Sequence, residues 1–152
     1  MRRMTLAVVA LAIPISAASL TFAGPAGAAT HKATKAASAQ TCTKVTGTIS
    51  GNLTFSGCTG GLGKGSALAT SLQTGGTITW QGKGKGGTTF SMAVSTPSSN
   101  GCSKGFTEYD GTGTVTADTS KKVAVGSAVS ARACVDLTTG AVTLVKHTNF
   151  AL

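Results

Sequence analysis

The chain has 152 residues, 13 Lys and Arg against four Asp and Glu, a formal charge of +9, and only five Phe, one Tyr and one Trp. That length suits one domain with a single core. Four acids spread along the sequence make a sparse oxygen cage for a cation. Scattered lysines without interleaved aromatics do not make a nucleic-acid surface.

Arg2 and Arg3 precede an apolar run from Leu6 to Ala23, and Pro25 is followed by Ala26-Gly27-Ala28-Ala29. Charged, apolar, then small is the order of a secretory signal peptide, so residues 1–29 are expected to be removed on export. Pro14 and Ser16 interrupt the run, and no later stretch approaches the length of a membrane span, so no transmembrane segment is expected after cleavage. A secreted, basic protein follows. Residues 30–41, THKATKAASAQT, hold no aromatic residue and no apolar residue larger than Ala, the composition of a disordered leader. Residues 42–152 then form the one folded domain.

Cys42, Cys58, Cys102 and Cys134 all follow the leader, an even count for an oxidising compartment. None forms a Cys-x-x-Cys pair, and His31 and His147 are remote from every cysteine in sequence, so two disulfides are expected and no metal site. From Val45 to Gly57, apolar residues and glycine alternate with Thr, Ser and Asn. A two-residue turn at Gly51-Asn52 would put the apolar sets on opposite faces and is excluded by parity. Two readings remain: one long strand with a bulge at Gly51, or a hairpin with Ser50-Gly51-Asn52 as its loop and Ile49 opposite Leu53. The single strand is preferred. It would hold Cys42 and Cys58 about 50 Å apart, so a bridge between them would refute it.

The Leu62–Leu72 segment reads as a loop with a helical turn. Strands are expected at Thr77–Trp80 and at Thr89–Ser95 with Phe90, Met92 and Val94 inward. Another runs through Thr112–Ala117 around Val115, with a further short one at Gly105–Tyr109 beyond a turn at Asp110-Gly111. Val123–Val135 reads as a long strand with Val125, Val129, Ala131, Ala133 and Val135 in phase, and Val142–Lys146 follows a Thr139-Gly140 turn. About seven strands and no helical period indicate an all-β fold, an antiparallel β-sandwich that is Ig-like or, alternatively, barrel-like.

Gly82-Lys83-Gly84-Lys85-Gly86-Gly87 matches a dinucleotide-binding pattern, but the chain re-enters a strand where that motif needs a helix, so it is read as a hairpin loop with Lys83 and Lys85 in water. Neither histidine has a nucleophile motif around it, and no Gly-x-Ser-x-Gly elbow occurs. Glu108-Tyr109-Asp110 is the one local acidic cluster. Alternation puts its carboxylates on one face about 7 Å apart, and Asp118 would join them if the chain folded back. Trp80 alternates with Ile78 and reads as a core anchor, with sugar stacking as the alternative.

Cys42-Thr43-Lys44 leading to GTISGNLTFSGCTGG, then GGTITW, then FTEYDGTGTVTAD resembles small exported β-rich proteins of high-GC Gram-positive bacteria, over Cys42 to Leu152. The resemblance implies secretion and an all-β fold and carries no functional residues. In composition alone the chain is also similar to chromoprotein apoproteins, small secreted sandwiches with two disulfides.

The functional expectation is a non-enzymatic extracellular binding or surface-association module without cofactor, with anionic cell-envelope polymers as the partner class and no nucleic acid. The alternatives are a small-ligand carrier with an apolar cleft near Trp80 or Phe90, and a hydrolase using Glu108 and Asp110. The candidate binding residues are Trp80, Lys83, Lys85, Glu108, Tyr109 and Asp110.

Overall fold

In the computed structural model, which describes residues 39–152, the alternating segments form an antiparallel meander. Its strands are β1 (Thr41–Thr48), β2 (Asn52–Cys58), β3 (Lys64–Leu68), β4 (Gly75–Gln81), β5 (Gly86–Ser95), β6 (Phe106–Asp118), β7 (Ala128–Asp136), β8 (Ala141–Leu144) and β9 (Phe150–Ala151). One helical turn, α1 (Ser71–Thr74), links β3 to β4. Each strand from β1 to β8 pairs with the next, and β8 returns to β1 with Thr143 opposite Thr46, Val142 opposite Gly47 and Ala141 opposite Thr48. The result is a closed eight-stranded barrel, which corrects the expected sandwich of about seven strands. Alternation along a strand is the same in both architectures. What decides between them is closure, which joins residues nearly a hundred positions apart and leaves β1 to β8 without an unpaired edge.

The expected signal peptide, and the leader as far as residue 38, lie outside the described residues. Gln40 is buried, and its backbone exchanges hydrogen bonds of 3.0 and 2.8 Å with that of Leu152. The barrel thus includes Gln40 and Thr41, two residues assigned by composition to the leader.

Four local readings are also corrected. Residues 41–58 form a hairpin, with Val45 opposite Phe55 and Gly47 opposite Leu53, and Cys42 is bridged to Cys58. The loop is Ile49-Ser50-Gly51, one residue earlier than the hairpin alternative placed it, which keeps the same parity. β3 lies inside the segment read as a loop, and α1 is its helical turn. No turn breaks the chain at Asp110-Gly111, because β6 pairs with β7 without a shift from Phe106 opposite Asp136 to Thr114 opposite Ala128. Glycine there provides clearance: a Cβ at Gly111 would meet Met92 Sδ at 2.7 Å. The long strand expected from Val123 begins only at Ala128, since Gly126 at φ 89° turns the chain and leaves Val125 64% exposed.

One end of the barrel is filled with rings. Phe150 packs edge-to-face on Phe55 and Phe90 at centroid distances of 4.9 and 6.0 Å, and Phe55 meets Trp80 at 6.3 Å. Space for them comes from Gly65, paired with both Phe55 and Trp80, where a Cβ would lie 2.4 Å from the indole. Phe150 reaches this position because β8 is short: β9 completes the wall, with Ala151 opposite both Thr41 and Ser130.

A buried polar chain seals the same end. Trp80 Nε1 donates to Thr88 Oγ1 (2.8 Å), and the Thr88 hydroxyl donates to Asp118 Oδ1 (2.6 Å). The Asp118 carboxylate also accepts from the Ser120 hydroxyl (2.8 Å) and from the backbone N–H groups of Lys122 (3.0 Å) and Val123 (3.2 Å). Desolvation pushes the Asp118 carboxyl up, but the hydrogen bonds from Thr88, Ser120, Val123 and Lys122 outweigh it and hold the pKa below its ordinary value.

Candidate ligand-binding site

Toward the opposite end the inward side chains shrink. Gly111 on β6 faces Ala131 on β7, and Ala133 follows one step further along the same inner face. Together with Ala69 these residues form a thin wall around an apolar cavity of about 220 Å³. Leu53, Met92, Val135 and Val142 form its buried lining, and Ile49, Leu72, Val94 and Leu137 surround its mouth. Three of these rim residues stay in water, Ile49 at 42%, Val94 at 38% and Leu137 at 64% exposure. Tyr109 and Gln73 are the two polar side chains of the lining. Neither makes a side-chain hydrogen bond to another described residue, so both keep donors and acceptors for a guest.

The sequence-derived candidates separate into three places. Tyr109 lines the cavity. Trp80 does not: it is 2% exposed at the filled end, with its N–H on Thr88, so it anchors the core and offers no sugar platform. Lys83 and Lys85 are exposed in the β4–β5 hairpin loop, also at the filled end, and the chain does return to a strand there.

Glu108 and Asp110 share the outer face of β6, as alternation requires, and both meet Arg132 of β7. Arg132 Nε donates to Glu108 Oε1 (2.8 Å) and to Asp110 Oδ1 (3.3 Å). Glu108 is buried beneath the β5–β6 connection, where it accepts the Gly101 N–H, and the Cys102–Cys134 bridge fastens that connection to β7. The Gly101 N–H and the Arg132 guanidinium outweigh desolvation and hold the Glu108 carboxyl below its ordinary value. A carboxyl kept ionised in this way is the opposite of the raised-pKa acid that glycoside hydrolysis uses. Asp118 does not join the cluster, because it ends β6 at the filled end. An outer depression of about 310 Å³ lies beside Arg132, and the charges in it, Asp110 and Arg132, are already paired with one another.

The apolar cleft expected near Trp80 or Phe90 therefore sits at the other end of the barrel, around Tyr109, Met92 and Ala131. The overlooked signal was volume. Gly111, Ala131 and Ala133 are inward positions on paired strands, with Gly111 directly opposite Ala131, and side chains this small cannot fill a barrel of this width. Among the described residues no helix is long and apolar enough to cross a membrane, and no three His, Cys, Asp or Glu side chains converge as a metal set. No protein-family description, curated protein or solved structure matches the chain.

Proposed function

We propose that the protein is a non-catalytic extracellular binding barrel that holds one small apolar molecule, with a single polar atom, in its open mouth. The observation that carries this reading is the apolar cavity of about 220 Å³, among whose lining residues, within the described part of the chain, Tyr109 and Gln73 alone have polar side chains. An enclosed apolar cavity of roughly 150 Å³ is known to take benzene. The larger volume here suits a fused bicyclic ring or a chain of similar bulk. Apolar lining supplies the affinity through burial, and the two polar groups orient one hydroxyl or carbonyl. Export rests on the N-terminal pattern, with which two disulfides agree.

The one tyrosine and one tryptophan of the sequence mark opposite ends of the barrel, which makes the test specific. Titration with naphthol, followed by NMR, is expected to shift the ring resonances of Tyr109 and leave the Trp80 indole N–H in place. Heat capacity of binding is expected to be negative. Shifts at Trp80 without shifts at Tyr109, or no saturable binding, would overturn the assignment.

A further inference from the structure

The filled end has a separate chemistry on its outside. Three connections meet there, and Gly84 packs so closely that a Cβ on it would lie 3.2 Å from Leu62 Cα and 3.3 Å from Lys122 Cγ. These connections carry Lys83, Lys85, Lys121 and Lys122, while Lys64 opens β3 opposite Gln81, beside the β4–β5 loop. Four of the five are exposed and Lys122 is half-buried. Among the described residues every salt bridge belongs to Arg132, so none of these ammonium groups is neutralised by a partner. The carboxylate at this end, Asp118, spends its oxygens on Thr88, Ser120 and the N–H groups of Lys122 and Val123.

The backbone that carries Lys121 and Lys122 is also held in place. Lys121 sits at φ 59°, in the left-handed region that a lysine rarely adopts, and the two N–H groups that follow it are fixed on Asp118. The buried chain from Trp80 through Thr88 to Asp118 thus continues outward as a rigid cationic turn. Five ammonium groups on neighbouring loops around one barrel end produce a local positive field that scattered lysines would not.

We infer that this end docks a flexible linear phosphate polymer, a chain of repeated anionic groups that carries no bases. Stacking on bases needs exposed rings, yet Trp80, Phe55 and Phe150 are all turned inside. Insertion into a lipid surface needs an apolar wedge, and Val125 is the one large apolar side chain exposed on these loops. A polymer bound here leaves the apolar mouth free at the opposite end. The inference stands independently of what the cavity holds.

The test compares two variants of equal net charge, Lys83→Gln/Lys85→Gln at the filled end and Lys104→Gln/Lys146→Gln elsewhere, for binding to long-chain inorganic polyphosphate across a salt series. Each phosphate contact contributes about 0.7 to the slope of log affinity against log salt. The first variant is expected to lower that slope by about 1.4 and to weaken binding at least fivefold at moderate salt. The second is expected to change affinity less than twofold. All four lysines are exposed, so both variants should fold, and an unchanged thermal melt checks this. Equal losses in the two variants would reduce the effect to bulk charge and overturn the site. So would absence of polyphosphate binding by the parent, or equally tight, Lys83- and Lys85-dependent binding to anionic phospholipid vesicles or to single-stranded nucleic acid.

Discussion

Ala131→Leu places three added carbons in the cavity, and Gly111, directly opposite on β6, offers them no competing side chain. Met92 is the nearest large neighbour over Gly111, and its flexible thioether can retreat. The three carbons take up space in the 220 Å³ cavity that a guest would otherwise fill. A guest that filled the parent cavity must then withdraw a comparable part of itself. At about 0.8 kcal/mol per buried methylene the loss is about 2.4 kcal/mol, or roughly fifty-fold in affinity. Isothermal titration with naphthol reads that ratio directly, and a thermal melt of the unliganded variant shows that the barrel persists. Leu68→Ser serves as the control, since Leu68 is 64% exposed and does not line the cavity. An affinity for Ala131→Leu within threefold of the parent, in a variant that melts normally, would refute the claim that the guest occupies this space.

Phe150→Ala removes the ring that joins Phe55 to Phe90, and is expected to destabilise the barrel by about 3 to 5 kcal/mol in denaturant unfolding. A much smaller loss would mean that β9 is not a structural part of the wall. Cys102→Ser/Cys134→Ser opens a closed loop of 32 residues, worth about 4 kcal/mol by chain entropy. It is also expected to free the Gly101 N–H from Glu108 and raise that carboxyl toward its ordinary value, which a carbon-detected NMR titration would follow. The Glu108, Asp118 and Asp136 carboxyls are all held below their ordinary values of 4.5, 3.8 and 3.8. Their contribution is therefore complete above those values and is lost as pH falls through the lower, folded-state pKa values. Unfolding free energy should decline as the solution is acidified below about pH 4.5, and Asp118→Asn should flatten part of that decline; a pH-independent free energy across this range would contradict the hydrogen-bond assignments.

Period-two alternation made the all-β class legible from Val45 onward, because it records which side of a strand faces the core. It located Ile78 and Trp80, Phe90 and Met92, and Val129 through Val135 correctly on the inside. The same signal is silent about closure, since Thr46 and Thr143 carry no mark of pairing with each other. Glycine misled in opposite directions. Asp110-Gly111 looks like a turn, yet Gly111 lies mid-strand to admit Met92, whereas Gly126 looks like part of an apolar run and breaks it. Lys64 to Leu68 was missed because only Ala67 and Leu68 among its residues are apolar, and Leu68 faces outward. For the site, Tyr109 was singled out for its place between two carboxylates, which face away from it on the outer wall. The chemistry that made Glu108 and Asp110 conspicuous was satisfied by Arg132, twenty-four and twenty-two positions later.

The distribution of volume along the barrel argues for function more strongly than any single side chain. Phe55, Trp80, Phe90 and Phe150 are gathered at one end, and alanine and glycine stand where branched residues would pack the other. An apolar lining left open to water forgoes the burial that a filled core would gain. The two disulfides supply stability from elsewhere, about 3 and 4 kcal/mol for separations of 16 and 32 residues. A barrel selected for stability alone would gain from Leu at position 131, whereas one selected to hold a guest would lose its guest by the same change. Ala131→Leu is thus expected to leave the melting temperature of the free protein equal or higher while weakening naphthol binding, and a substitution that lowered both together would show that this wall supports the fold and not a ligand.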